Sequence, residues 1–80
     1  MQHYSTIAVT DTPPIRTITL ERPERRNAMT TQMQMELITA FEDAAASGCR
    51  VLVLTGAGEA FCSGLDLSEL QGMRDKPGAR

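Results

Sequence analysis

Two short runs rich in β-branched residues open the chain, Tyr4 to Thr10 and Ile15 to Leu20. Both favour extended backbone, and Asp11-Thr12-Pro13-Pro14 between them supplies residues that stop a strand and reverse the chain. The pattern predicts a β-hairpin over residues 4–20. In its second arm Ile18 and Leu20 alternate with Thr17 and Thr19, which sets one face on a core and the other outward or against another strand.

Glu21-Arg22-Pro23-Glu24-Arg25-Arg26-Asn27 reads as a charged loop, because Pro23 biases Arg22 away from the helical region and ends the extended run. A helix is expected over residues 30–47, with Thr30 or Thr31 as N-cap and Thr31 with Gln34 matching a capping box. Met33, Leu37, Ile38, Phe41 and Ala45 recur at helical spacing and form the expected core face. Gln32, Glu36, Glu42 and Asp43 are expected outside, and Gly48 suits the left-handed position past the helix end. Val51-Leu52-Val53-Leu54 is a continuous apolar run, the pattern of a strand covered on both faces in a parallel sheet, here placed at residues 51–55. Strand, helix, strand implies a right-handed crossover. A loop over residues 56–67 and a short helix over 68–74 follow, with a frayed end after Lys76-Pro77-Gly78.

Such a strand needs cover on two sides, yet these elements supply one good helix. At 80 residues a chain buries only about 60–65% of the surface that its unfolded form exposes. Apolar burial set against about 1.5 kcal/mol of lost entropy per ordered residue then comes out near zero. The expectation is therefore a fragment, a truncated product or one piece of a larger assembly.

Composition narrows the class of function. Hydrophobic residues make up 41% and no apolar stretch approaches the roughly 18 residues of a membrane helix, so no membrane role is expected. Met1-Gln2-His3-Tyr4-Ser5 has neither a basic cluster nor an apolar core, so no secretory leader is read and a cytoplasmic location is expected. The net charge is −2 and the basic residues are scattered apart from Arg25-Arg26, which argues against a nucleic-acid surface. Cys49 and Cys62 lack CxxC spacing and have only His3 for company, so neither a metal site nor a redox pair is expected.

Several catalytic patterns fail on inspection. Gly56-Ala57-Gly58 begins a dinucleotide loop, but Phe61 stands where GxGxxG requires its third glycine. A Ser63 nucleophile elbow fails because Phe61 and Leu65 stand where GxSxG requires glycines. Cys62 reads as a small core residue rather than a nucleophile, and Met29, Met33 and Met35 read as flexible packing.

Three spaced segments remain: Ile18-Thr19-Leu20-Glu21-Arg22-Pro23 with Arg26-Asn27-Ala28; Val51–Leu54 with Thr55-Gly56-Ala57-Gly58; and Ala60-Phe61-Cys62-Ser63-Gly64-Leu65-Asp66-Leu67. In this order they resemble the signature of the enoyl-CoA hydratase/isomerase (crotonase) family, over about Ile7 to Leu70. The resemblance implies an α/β fold of ββα units, here an incomplete N-terminal portion of the ClpP/crotonase-like fold. It also implies an acyl-CoA substrate, no separate cofactor, and in a complete protein a homo-oligomer built as a trimer or a dimer of trimers. Substrates of that family lie with the thioester carbonyl between two backbone N–H donors, an oxyanion hole that holds the negative charge of an enolate or tetrahedral anion.

By that resemblance Leu65 supplies the first donor through its backbone N–H, so its side chain is not decisive. Ser63, Gly64, Asp66 and Leu67 fall where relatives run past the pantetheine and adenine, and Gly64 lets the backbone approach closely. Arg26 occupies a position where some relatives place a basic residue near the CoA phosphates, and Arg25 is its substitute; a solvated loop charge is the competing reading for both. Asn27 is read as structural. The family's second donor and its acid/base side chains fall beyond residue 80, and neither Glu59 nor Asp66 matches an acid/base position. The implied function is half of an acyl-CoA site for enoyl-CoA hydration or isomerisation, inactive alone, with a non-catalytic fragment or binding module as the alternative.

Overall fold

A computed structural model describes residues 3–66. Five elements appear in chain order: β1 (Ile7–Thr12), β2 (Ile15–Leu20), a single 3-10 turn (Pro23–Arg25), α1 (Thr31–Ala46) and β3 (Val51–Gly56). The strands form one sheet in the order β1-β2-β3, with β1 antiparallel and β3 parallel to β2. Helix α1 is thus the crossover between two parallel neighbours, and the piece is α/β as its pattern predicts. The expected short helix over 68–74 lies outside the described residues.

The hairpin turn is tighter than its polar sequence implies. Asp11 and Thr12 stay in register, opposite Arg16 and Ile15, which leaves Pro13-Pro14, joined by a cis peptide, to make the reversal. Asp11 remains in the ladder for an electrostatic reason. It faces Arg16 directly across the strands, and the guanidinium takes both carboxylate oxygens, Nε to Oδ1 at 2.6 Å and Nη2 to Oδ2 at 2.7 Å. Arg16 is buried and also donates to the Ala40 carbonyl at 2.8 Å, to Asp43 at 3.0 Å and to Ser47 Oγ at 3.1 Å. One cation so ties the hairpin to the C-terminal half of α1. The hydrogen bond from Arg16 holds the Asp11 carboxyl below its ordinary pKa.

Arg16, Ile18 and Leu20 share the β2 face that α1 covers, while Thr17 and Thr19 point the other way. Ile7, Ile18, Leu20, Met33, Leu37 and Ala40 form the core. The helix therefore turns differently from the expected face. Met33, Leu37, Ala40 and Ala44 are buried, whereas Ile38, Phe41 and Ala45 are exposed. The buried set recurs at spacings of three and four, and small alanines let the second half of the helix lie close to the Arg16 network.

Two further expectations about α1 are corrected. Thr30 is the N-cap and accepts from Met33 N–H at 3.1 Å, so the third helical position is Met33 and no Thr31–Gln34 capping box forms. Glu36 is not on the outer side. Its carboxylate accepts from Thr6 N–H at 2.9 Å, Thr6 Oγ1 at 2.7 Å and Ser5 N–H at 3.0 Å, clamping the start of the chain to the helix. Burial opposes ionisation of Glu36, but the Ser5, Thr6 and Gln32 donors outweigh it and leave the pKa lowered. Past the helix end Gly48 adopts φ +78°.

β3 pairs in register with β2 from Ile15↔Val51 to Leu20↔Gly56. Its apolar run is bare on both faces: Val51, Leu52, Val53 and Leu54 are 41–48% exposed. Leu54 lies beside the fully buried Ile18 in register, so the cover supplied by α1 stops at β2.

Candidate functional site

Two loops converge at the end of the parallel pair β2 and β3. Residues 21–30 leave β2 and residues 57–66 leave β3, and parallel neighbours send their exits to the same side. The first loop turns through Pro23–Arg25, then Arg26 and Asn27 both take left-handed backbone, φ +53° and +58°. Each such residue costs about 1–3 kcal/mol when it is not glycine, although asparagine tolerates the region better.

Asn27 offsets that cost through its side chain, which is fully buried. Oδ1 accepts from Arg22 N–H at 2.8 Å, closing its own loop, and Nδ2 donates to the Ala57 and Ala60 carbonyls at 3.0 and 2.7 Å. The structural reading of Asn27 therefore extends further than a local turn, since one amide staples the two loops together. Gly56 makes this closure possible, because a Cβ there would stand 2.4 Å from the Phe61 carbonyl oxygen and 2.6 Å from that of Ala60.

Beyond the staple the loops run side by side. Ser63 N–H donates to the Arg26 carbonyl at 3.1 Å, Met29 N–H to Gly64 O at 2.7 Å, and Asp66 N–H to Met29 O at 2.9 Å. This is a single parallel bridge between Met29 and Leu65. In such a bridge Met29 bonds the residues on either side of Leu65, so the N–H of Leu65 itself points away from Met29. Among the described residues it meets no acceptor. Gly64 reaches this geometry at φ +106°, outside the range of L side chains, with nothing within 4 Å of its missing Cβ. Glycine is needed there for its backbone angle, and the space beside it is open.

A second clamp spans the bridge. Arg22 Nη1 donates to the Ala28 carbonyl, and Nη2 pairs with Asp66 Oδ2 at 3.2 Å. Both side chains are largely covered, 17% exposed for Arg22 and 11% for Asp66.

The structure thus brings Arg26, Ser63, Gly64, Leu65 and Asp66 into one strip, with Leu67 outside the described residues. Arg25 and Arg26 have exposed side chains, and Arg26 joins the strip through its carbonyl. The Asp66 carboxylate is engaged with Arg22. Cys62 is half-buried against the core. A concavity of about 580 Å³ lies elsewhere, between Tyr4 and the helix residues Thr31, Met35 and Glu36. No three His, Cys, Asp or Glu side chains among the described residues cluster to hold a metal. No described helix is long and apolar enough to cross a membrane.

The burial of Arg16, the contacts of Arg22 and the reach of Asn27 are not implied by the motifs, although Arg22 stands within the first signature segment. A signal existed for Arg16, which sits in phase with Ile18 and Leu20 on the buried face and so requires paired acceptors. Nothing local in the sequence tells that Arg22 meets a residue 44 positions away.

A family model described as enoyl-CoA hydratase/isomerase matches residues 11–79. A probable enoyl-CoA hydratase of Mycobacterium tuberculosis is 48% identical over 62 residues, 78% of this chain and 26% of the relative. The mitochondrial Delta(3,5)-Delta(2,4)-dienoyl-CoA isomerase of Mus musculus is 39% identical over 70 residues, 85% of this chain and 21% of the relative. The crystal structure of an enoyl-CoA hydratase/isomerase from Marinobacter aquaeolei superimposes with a TM-score of 0.84 at 37% identity, covering 94% of this chain and 29% of that one. This chain spans about a quarter of the length of the curated relatives that it matches. With sequence and fold in agreement over most of its length, the chain belongs to the enoyl-CoA hydratase/isomerase family.

Proposed function

We propose that this chain carries the first half of an acyl-CoA thioester site, in which Leu65 N–H donates to the thioester carbonyl oxygen. One observation supports this above the others: the Leu65 N–H meets no acceptor among the described residues, while its neighbours on both sides are bonded to the facing loop. A donor fixed in advance stabilises developing negative charge without reorganising solvent, an effect of about 10²–10³ in rate. Gly64 keeps the approach open, Ser63 continues the strip along the CoA arm, and the Arg26 guanidinium faces the phosphates; Leu67 is assigned to the CoA arm by the family resemblance alone. Asp66 contributes through its pairing with Arg22. The parent chemistry is enoyl-CoA hydration or isomerisation, with the CoA thioester as substrate, no separate cofactor, and a trimeric or hexameric complete protein.

The described residues include no pair to which acid/base work is assigned, so turnover by the chain alone is expected to be lower by several orders of magnitude. The bare faces of β3, together with the quarter-length match, favour a second reading: a non-catalytic piece that binds or assembles without turnover. Calorimetric titration of crotonyl-CoA into the chain, repeated with Leu65→Pro, tests the site. Saturable binding that weakens on loss of the donor supports it, and equal binding by both chains contradicts it.

A further inference from the structure

We infer that Arg22 is a positioning residue that fixes the direction of the Leu65 N–H, an inference that takes its functional meaning from the thioester reading above. The two arms of its guanidinium land on either side of the site. Nη1 holds the carbonyl of Ala28, immediately before Met29; Nη2 holds the carboxylate of Asp66, immediately after Leu65. Arg22 therefore grips both loops at the residues flanking the Met29–Leu65 bridge.

The bridge itself has few bonds. Gly64 O and Asp66 N–H are its ties to Met29, with Ser63 N–H to Arg26 O one step before. A single bridge of this kind leaves a donor free to swing unless something holds its flanks. The rigid fork of an arginine supplies two directed donors in one plane, whereas a lysine ammonium is a point charge on a flexible stem and is not shaped to hold both acceptors in these directions. Arg22 is itself anchored from behind, because its N–H donates to the buried Asn27 amide that staples the loops. The chain of support runs from Asn27 through Arg22 and Asp66 to Leu65, and no member except Leu65 need touch substrate.

The test uses the full 80-residue chain, labelled with nitrogen-15, and compares it with Arg22→Lys and Asp66→Asn. In the native chain the Leu65 amide is expected to be as rigid as the sheet, with an order parameter of about 0.85, falling below about 0.6 in Arg22→Lys. Exchange of the Met29 and Asp66 amides is expected to rise about tenfold, with Ile18 and Leu37 unchanged. Asp66→Asn, which keeps an acceptor but loses the charge, is expected to give a smaller change in the same direction. A rigid Leu65 in Arg22→Lys overturns the inference. So does uniform loosening of the whole chain, or a Leu65 already mobile in the native protein.

A second arm uses crotonyl-CoA carrying carbon-13 at its carbonyl. The bound carbonyl resonance is expected to be displaced by the native chain and less displaced by Arg22→Lys, with little change in affinity. Equal displacement by both overturns the role of Arg22 while leaving the thioester site standing. Failure of the native chain to bind the probe removes the thioester reading, and the order of Leu65 then still decides whether Arg22 positions it.

Discussion

The loop junction and strand β3 adjoin each other in the fold and are finished to opposite degrees. At the junction, one asparagine and one arginine satisfy carbonyls and an N–H from both loops, and Gly56 and Gly64 sit where contact or backbone angle demands them. β3 pairs with β2 along its length, yet four consecutive apolar side chains stay more than two-fifths exposed. Buried polar groups must be paired for the chain to fold at all, so the junction is closed by local necessity. Apolar strand faces only gain by burial, and the described residues do not supply the cover. The first region should be intolerant of substitution and the second permissive.

The largest expected effect is at Asn27. Replacing it with alanine strands two carbonyls and one N–H in a buried site, at about 1–3 kcal/mol each, comparable with the whole stability of a chain this small. Thermal and chemical denaturation of Asn27→Ala should show little or no cooperative transition, and a stability equal to that of the native chain would break the contrast between the two regions. Arg16→Met comes next. It removes charged hydrogen bonds to Asp11, Asp43 and Ala40, and should cost about 2 kcal/mol after allowing for the partial exposure of both carboxylates.

Acid should act in the same direction and more mildly. Asp11 and Glu36 have lowered pKa values in the folded chain, from ordinary values of 3.8 and 4.5. A group of this kind stabilises the fold fully above its unfolded pKa, and the contribution is lost as the pH falls through the folded value. Stability should therefore hold from neutrality to about pH 5 and decline below it, with Glu36→Gln flattening part of that decline in a pH series of melts. The smallest effect belongs to β3: Leu54→Thr should change stability by less than about 0.5 kcal/mol, as at a surface position. A loss of several kcal/mol would mean that β3 is covered in solution and would sharpen the comparison in the opposite sense.

The same contrast explains what could be read from the chain in advance. Hairpin, helix and parallel strand follow from periods and breakers that act over a few residues, and those were legible. The orientation of α1 was not, because Ile38 and Phe41 are more hydrophobic than Ala40 and Ala44 and drew the expected face toward themselves. Close approach at the Arg16 network instead favours the small residues. The segments of the candidate site were legible as motifs, with Leu65, Gly64 and Ser63 in one run. What holds them was not legible, since Arg22 meets Asp66 and Asn27 meets Ala60 across 44 and 33 residues that only the folded topology brings together.

In the proposed site the Leu65 N–H is held ready for a thioester oxygen. The most direct measurement is the Leu65 amide proton resonance in the nitrogen-15 labelled chain, titrated with crotonyl-CoA and, separately, with free CoA, which lacks the carbonyl. A saturable downfield shift of that amide is expected with the thioester and none with free CoA. Equal shifts with both ligands, or a thioester that binds while Leu65 stays unmoved, would contradict it.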